Sequence, residues 1–151
     1  MERIGVIGFG FSGLMTVANI VRAAASPCIL YIIEDGQGFG AAYGTQNPEH
    51  LLNVRAGGMS AWADAPDDFV QWLKSEDAAQ SKTQHSLRAN YGPDDFVPRV
   101  LYGGYLKSIW RDTQTHASEK KLKIKLVPSR AAAVQYSNGL AVLSERGDAI
   151  A

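Results

Sequence analysis

The chain has 151 residues, and its 15 basic residues balance 15 acidic ones, so the formal net charge at pH 7 is zero. This balance gives no electrostatic reason to expect a nucleic acid or an anionic membrane as a partner. The single cysteine, Cys28, excludes an internal disulfide and a thiolate metal cluster, and it fits a reducing cytoplasm. The 3 histidines are scattered, so no metal site is predicted, and no apolar run is long enough to span a bilayer.

The N-terminal segment predicts one βαβ unit. A short apolar run over residues 4–7 ends at Gly8, as a buried parallel strand does. Apolar residues then recur at helical spacing over residues 11–25. The dipeptide Ser26-Pro27 ends this helix, because proline disfavours helical geometry in the residue before it. A second continuous apolar run, Cys28–Ile33, predicts the next strand of the same sheet.

The middle of the chain alternates between loops and two predicted helices. Residues 36–65 lack periodicity but contain many glycines and several apolar side chains, which is typical of a functional loop. A short helix is predicted next, with Pro66 in its first turn and two aspartates, Asp67 and Asp68, at the positive end of its dipole. A longer helix is predicted to open at Pro98.

The C-terminal part is predicted to be β. Apolar residues alternate with lysines over residues 122–126, which indicates a half-buried strand. Ala131–Tyr136 and Leu140–Ser144 flank Asn138-Gly139, a strong signal for an antiparallel hairpin. A further turn is predicted at residues 146–148, and a strand is predicted to begin at Ile150. Together these elements predict one α/β domain over residues 1–151, Rossmann-like, with a parallel sheet and a C-terminal hairpin.

One glycine motif is the main indication of function in this sequence. Residues 8–13, the glycine turn, read G-x-G-x-x-G; they follow a strand, open a helix, and precede Glu34 at the end of the next strand. Gly8 permits the tight turn, Gly10 lets the backbone approach a diphosphate, and Gly13 lets helix and strand pack closely. The backbone N–H groups around Phe11 and Ser12, at the positive end of the helix, attract that diphosphate.

Glu34 limits which dinucleotides the site can bind. Its carboxylate can accept hydrogen bonds from ribose hydroxyls, and its charge repels a 2′-phosphate. The site is therefore predicted to take FAD or NAD, and spacing alone does not choose between them. In the simpler alternative, the glycines make only a tight turn between strand and helix, and Glu34 is a solvated strand end.

The segments after the βαβ unit resemble a family of bacterial FAD/NAD(P)-binding flavoproteins, which is distantly similar to the flavin-dependent N-hydroxylating monooxygenases. The resemblance covers nearly the whole chain. It is carried by Gly38-Phe39-Gly40-Ala41-Ala42-Tyr43-Gly44, by Glu49-His50-Leu51-Leu52-Asn53-Val54-Arg55-Ala56, by Met59-Ser60-Ala61-Trp62, by Phe69-Val70-Gln71-Trp72-Leu73, and by Phe96-Val97-Pro98-Arg99-Val100-Leu101-Tyr102-Gly103-Gly104-Tyr105-Leu106.

The resemblance implies FAD as the cofactor, with the glycine turn at its diphosphate and Glu34 at its ribose. It also implies that Asn53 and Arg55 are polar contacts beside the flavin, that Arg99 is a further cofactor contact, and that residues 131–134 pass beside the adenine. Each of the three polar residues has an alternative: Asn53 could be a turn residue, and the two arginines could pair with Asp64 or Asp94 at the surface.

The resemblance further implies that NAD(P)H reduces the flavin in the complete oxidoreductase. No second glycine motif for NAD(P)H occurs in the chain, and no catalytic acid or base is predicted. We therefore expect a fragment of a longer flavoprotein, without a complete active site, whose exposed sheet edge favours self-association. Two rival hypotheses remain: an NAD-dependent dehydrogenase that uses the same turn, and a binding module that is not an enzyme. The small-molecule substrate is not predicted.

Overall fold

A parallel sheet of three strands organises the N-terminal part of the fold. The computed structural model describes residues 1–36, 38–76, 88–136 and 140–144. Strands β1 (Glu2–Ile7), β2 (Cys28–Ile33) and β3 (Lys123–Val127) lie in the order β1-β2-β3, and both neighbouring pairs are parallel. The parallel sheet predicted from the apolar runs is thereby confirmed.

Helix α1 (Phe11–Ala23) connects β1 to β2 and has one buried face. That face consists of Leu14, Met15, Val17, Ala18 and Val21. The spacing of these residues matches the helical period, so one stripe of the helix enters the core. The central strand β2 contributes Leu30, Ile32 and Ile33, each at most 1% exposed. The predicted βαβ unit is therefore present.

The chain divides into two compact units. The first unit contains residues 1–41 and 108–151, and the second contains residues 42–107. The short helix α2 (Gly40–Tyr43) and the long helix α4 (Arg99–Glu119) each contain one of the division points.

The second unit contains a short helix, α3 (Asp68–Lys74), and an aromatic core. Helix α3 begins at Asp68, two residues after Pro66, whereas the sequence predicts Pro66 in its first turn. Asp67 directly precedes the helix, and its carbonyl accepts the first helical hydrogen bond, from Gln71 N–H at 2.9 Å. Pro66 lies in the turn before the helix. The aromatic core is formed by Tyr43, Phe69, Trp72, Tyr102 and Tyr105.

An irregular ribbon in the second unit pairs residues 51–57 with residues 93–98. The Leu52 N–H donates to the Val97 carbonyl at 2.8 Å, and the Ala56 N–H donates to the Asp95 carbonyl at 2.9 Å. A 3-10 turn (Ala56–Gly58) follows on the first side of the ribbon. Apart from α2 and the 3-10 turn, the described residues of the glycine-rich loop lack regular structure, as predicted, and residues 52–57 of this loop are held by hydrogen bonds to residues 93–97.

The C-terminal strands β4 (Ala131–Tyr136) and β5 (Leu140–Ser144) pair antiparallel, with Val134 opposite Val142. This confirms the predicted hairpin strands. The turn predicted at Asn138-Gly139, the turn at residues 146–148 and the strand start at Ile150 lie outside the described residues. Within the described ranges, no helix is both long enough and apolar enough to cross a membrane.

Candidate functional site

The glycine turn connects β1 to α1 through two residues that tolerate no side chain. Gly8 has φ +86°, in the left-handed region that favours glycine, and its N–H donates to the Ile33 carbonyl at 2.9 Å. A Cβ atom on Gly13 would lie 2.0 Å from the Gly8 carbonyl oxygen. The strand end and the first turn of the helix are therefore in backbone contact at Gly13, which only glycine permits.

The N-terminus of α1 is left uncapped by side chains. Its N-cap residue is Gly10, no side chain makes a capping hydrogen bond, and the first turn contains no acidic residue. Phe11 and Ser12 are the first two helical residues, and the Ser12 side chain is exposed. A helix N-terminus concentrates backbone N–H groups and about half a positive charge, so this end suits an anion.

The Glu34 side chain lies against the glycine turn. One carboxylate oxygen accepts the Phe9 N–H at 2.6 Å, and the other accepts the Gly36 N–H at 3.0 Å. The Glu34 backbone N–H in turn donates to the Val127 carbonyl at 3.1 Å. The structure therefore brings Glu34 and the glycine turn together, and it adds two contacts of the carboxylate that spacing alone does not predict.

A cavity of about 330 Å³ opens beside Glu34 within the first unit. Its lining is mostly apolar and aromatic, and comprises Phe9, Ile32, Phe39, Trp110, Leu126 and Pro128 together with Glu34, Gly36, Gly38 and Val127. The Phe9 ring is 6% exposed and meets the Trp110 ring edge-on, with 4.9 Å between centroids. A mostly apolar pocket with a few polar groups that can fix orientation is the usual character of a small-molecule site.

A second glycine turn, residues 38–40, packs against the first. Gly38, Phe39 and Gly40 all have positive φ, at +76°, +56° and +66°. The Phe39 N–H donates to the Phe9 carbonyl at 2.7 Å, and the two phenylalanine rings lie 5.6 Å apart. These residues were absent from the predicted site, although the triplet Gly-Phe-Gly occurs in both turns and could have identified them.

The remaining predicted site residues lie in the second unit. Arg99 donates from its backbone N–H to the His50 carbonyl at 2.7 Å and from Nε to the Leu51 carbonyl at 3.0 Å, so it holds the backbone of the ribbon. Arg55 forms an exposed ion pair with Asp94 at 3.3 Å, which is the surface pairing that the sequence offered as its alternative. Asn53, two residues before Arg55, is exposed.

The ribbon also exposes large apolar side chains. Leu51, Val54 and Phe96 are 49%, 43% and 47% exposed, respectively. The Arg55 guanidinium lies 6.0 Å from the centroid of the Phe96 ring. Clustered apolar groups at a surface, rimmed by charge, often mark a binding face.

Two buried tyrosines and the buried cysteine have raised pKa values. Burial raises the pKa of Tyr102, and burial together with the hydrogen bond to Asp68 raises the pKa of Tyr105. The Tyr105 hydroxyl donates to Asp68 Oδ2 at 2.5 Å and accepts the Ala61 N–H at 3.2 Å. Burial likewise raises the pKa of the Cys28 thiol. These groups stay neutral near pH 7, and we assign them to packing and loop anchoring.

Comparison with known proteins assigns the chain to a family. A βαβ unit with a glycine turn and an acid at the end of its second strand defines a dinucleotide-binding α/β domain. The chain belongs to the FAD-NAD(P)-binding family, whose model matches residues 5–151. No curated protein matches the sequence.

Solved structures with a similar fold include cyclohexanone monooxygenase in an open form, at 14% identity and a TM-score of 0.51, covering 98% of this chain and 24% of that one. A flavin-containing monooxygenase from Stenotrophomonas maltophilia is 20% identical with a TM-score of 0.49, covering 99% and 36%. NikD, an unusual amino acid oxidase essential for nikkomycin biosynthesis, is 11% identical with a TM-score of 0.49, covering 97% and 49%. The chain therefore spans at most about half the length of these three structures.

Proposed function

We propose that this chain is the FAD-binding part of an NAD(P)H-dependent flavoprotein oxidoreductase. The observation that carries the proposal is the pairing of an uncapped, glycine-built helix start with the Glu34 carboxylate, 2.6 Å from the Phe9 N–H within it. The first group suits a diphosphate and the second a ribose diol. Both lie in the first unit, and Glu34 also lines the cavity.

In this proposal the first unit holds the adenosine diphosphate half of the dinucleotide. Gly8 and Gly13 shape the turn, Gly10 admits the diphosphate oxygens, and the backbone of Phe11 and Ser12 donates to them. Glu34 accepts hydrogen bonds from the ribose hydroxyls, and its charge disfavours a 2′-phosphate. The site therefore selects FAD or NAD over NADP.

The second unit supports FAD over NAD. The resemblance implies that residues 53–55 run beside the flavin, and the ribbon that contains them exposes Leu51, Val54 and Phe96. A flavin ring is large and planar, so it could cover such side chains. Asn53 and Arg55 would supply polar contacts, and Arg99 would act by holding the ribbon through its bond to the Leu51 carbonyl. For Arg55, cofactor contact requires release of the exposed pair with Asp94, which costs little.

When bound, the flavin supplies the redox chemistry, and the protein supplies binding, orientation and electrostatics. The complete protein would use NAD(P)H as reductant, and the resemblance to N-hydroxylating enzymes favours a monooxygenase. Other parts of that longer protein would supply the groups that bind the substrate.

Self-association is a further part of this proposal. Strand β1 is at one end of the sheet order and is charged at Glu2 and Arg3 but not at residues 4–7, whereas the strand at the other end, β3, exposes Lys123 and Lys125 within its length. Charged side chains, lysine above all, protect an edge against pairing with another chain. We expect concentration-dependent dimers in light scattering, and a monomer at high concentration would contradict this.

The test of cofactor binding is a thermal-shift titration with FAD, NAD, NADP and ADP. A ligand at a hundred times its dissociation constant adds about 2.7 kcal/mol of stability, or roughly 5–11 °C for a domain of this size. FAD should give the largest shift, and NADP the smallest. A matched control is Gly10→Ala, whose added Cβ meets no atom within 4 Å, so the variant should fold but lose the shift. A larger shift with NAD than with FAD would favour a dehydrogenase, and no shift with any nucleotide would favour a binding module.

A further inference from the structure

The Glu34 carboxylate bridges the glycine turn and the loop that follows β2. Its two oxygens accept separate backbone N–H groups, of Phe9 at 2.6 Å and of Gly36 at 3.0 Å. Its own backbone is fixed by the hydrogen bond to Val127 of β3. Glu34, which follows β2, is therefore linked to the turn after β1 by its side chain and to the end of β3 by its backbone.

Phe9 is the residue through which this bridge acts. Its N–H is held by Glu34, and its carbonyl is held by the Phe39 N–H at 2.7 Å. Its ring is buried and contacts the rings of Phe39 and Trp110. Phe9 stands between Gly8 and Gly10, so fixing both of its peptide groups fixes the path of the turn toward the start of α1.

The carboxylate has acceptor capacity for a second task. Two ionised oxygens offer about four lone-pair sites, and the two N–H contacts occupy one site on each oxygen. One site on each oxygen remains for a ribose hydroxyl. Holding the turn and holding the ribose are therefore compatible.

We infer that Glu34 is a positioning residue as well as a ribose ligand: it keeps the glycine turn in the form that accepts a diphosphate before any nucleotide arrives. This inference rests on the proposed function for its ligand. If Glu34 sets the fraction of molecules with a competent turn, its loss weakens every ligand of the turn by that fraction, whether or not the ligand has ribose hydroxyls.

Glu34→Gln separates the two roles. A glutamine amide has one oxygen, and its NH₂ group cannot accept a hydrogen bond. Either the Phe9 N–H or the Gly36 N–H therefore loses its acceptor. Asp35→Asn is the matched control, because it removes the same charge from the adjacent, exposed residue.

The experiment is calorimetric titration of the 151-residue chain with ADP and with 2′,3′-dideoxy-ADP. Wild-type protein should bind ADP more tightly than the dideoxy analogue. Glu34→Gln should weaken the dideoxy analogue about tenfold, which is the scale of one unsatisfied donor, and should weaken ADP by more. Asp35→Asn should leave both affinities unchanged or slightly higher. Amide exchange at Phe9 in the nucleotide-free protein should be at least about tenfold faster in Glu34→Gln.

The outcomes are distinguishable. An unchanged affinity of Glu34→Gln for the dideoxy analogue, or an equal loss in Asp35→Asn, overturns the positioning role and leaves the proposed function standing. Binding of neither nucleotide by wild-type protein overturns the proposed function, and Phe9 exchange then decides the positioning role alone. If Glu34→Gln does not fold, Glu34→Asp replaces it. That variant keeps both oxygens but withdraws them by one methylene, and unchanged Phe9 exchange in it overturns the inference.

Discussion

The two ends of helix α1 differ in the side chains that contact their backbone groups. At the N-terminus, the N-cap residue is Gly10, no side chain makes a capping hydrogen bond, and no acidic residue lies in the first turn. At the C-terminus, Lys120 Nζ donates to the carbonyls of Val21, Arg22 and Ala24 at 2.9, 2.7 and 3.4 Å. Both ends of a helix carry backbone groups without helical partners. The protein satisfies the C-terminal end with its own Lys120 side chain, whereas no side chain caps the N-terminal end, where we propose that a diphosphate binds.

The largest effect is expected from Gly13→Ala at the N-terminal end. The new Cβ would lie 2.0 Å from the Gly8 carbonyl oxygen, so either the strand end or the helix must move. We expect a loss of about 3 kcal/mol in the free energy of unfolding, measured by urea denaturation. Gly10→Ala is the control, with φ of −72° and no atom near its Cβ, and should change stability by about 0.5 kcal/mol or less. Equal losses in the two variants would contradict the close contact at Gly13.

At the C-terminal end, Lys120→Met should cost about 1 kcal/mol, because three carbonyl contacts with a charged donor are lost from a largely exposed site. The affinity for ADP should not change, since the lysine lies at the opposite end of the helix from the glycine turn. Urea denaturation and calorimetry on the same sample test both statements. A loss of ADP affinity as large as the loss of stability would remove the distinction between the two ends.

Ser12→Asp is expected to raise the stability of the protein and to weaken nucleotide binding at the N-terminal end of α1. An acidic residue in the first turn of a helix stabilises it by about 0.3–1 kcal/mol, so the thermal midpoint of the nucleotide-free protein should rise. The same charge should repel a diphosphate and weaken ADP binding. Ser12→Asn has a similar shape without the charge and should do neither. A variant that gains stability and also binds ADP more tightly would exclude this helix end as the anion site.

The smallest effect is expected at Lys121, which follows the capping lysine and has φ +58°. Left-handed geometry after a helix favours glycine, so Lys121→Gly should stabilise the chain by about 0.5 kcal/mol. The Leu122 N–H, which donates to the Ala117 carbonyl at 2.8 Å, should remain protected from exchange. Destabilisation would show that the Lys121 side chain makes a contribution larger than the backbone strain.

The sequence predicts the parts of this fold that depend on neighbours along the chain. The strands, α1 and the glycine turn follow from local apolar spacing and from glycine chemistry, and Glu34 follows from its place after a strand. The contact between Lys120 and Val21 joins residues 99 positions apart, so no local pattern contains it. The same reason applies to the contact between Glu34 and Phe9. The difference between the predicted and the observed start of α3 is smaller, because the residues at this boundary can belong either to the turn or to the helix.

The function of the second unit was harder to predict for a different reason. Arginine side chains are long and choose between a ligand and a nearby carboxylate, and the sequence contains candidates for both. The structure pairs Arg55 with Asp94 and turns Arg99 to the Leu51 carbonyl, while the cofactor contacts of both arginines stay predictions. The sequence does not predict that Leu51, Val54 and Phe96 are exposed, because their exposure depends on how the ribbon folds.

The position of Trp110 gives the first unit an optical reporter of its own. Trp110 lines the cavity beside Glu34, whereas Trp62 and Trp72 belong to the second unit. With only 3 tryptophans in the chain, replacing the other two by phenylalanine would leave an indole whose emission arises at the cavity wall. Filling of the cavity could then be followed in real time without labelling either the protein or the nucleotide.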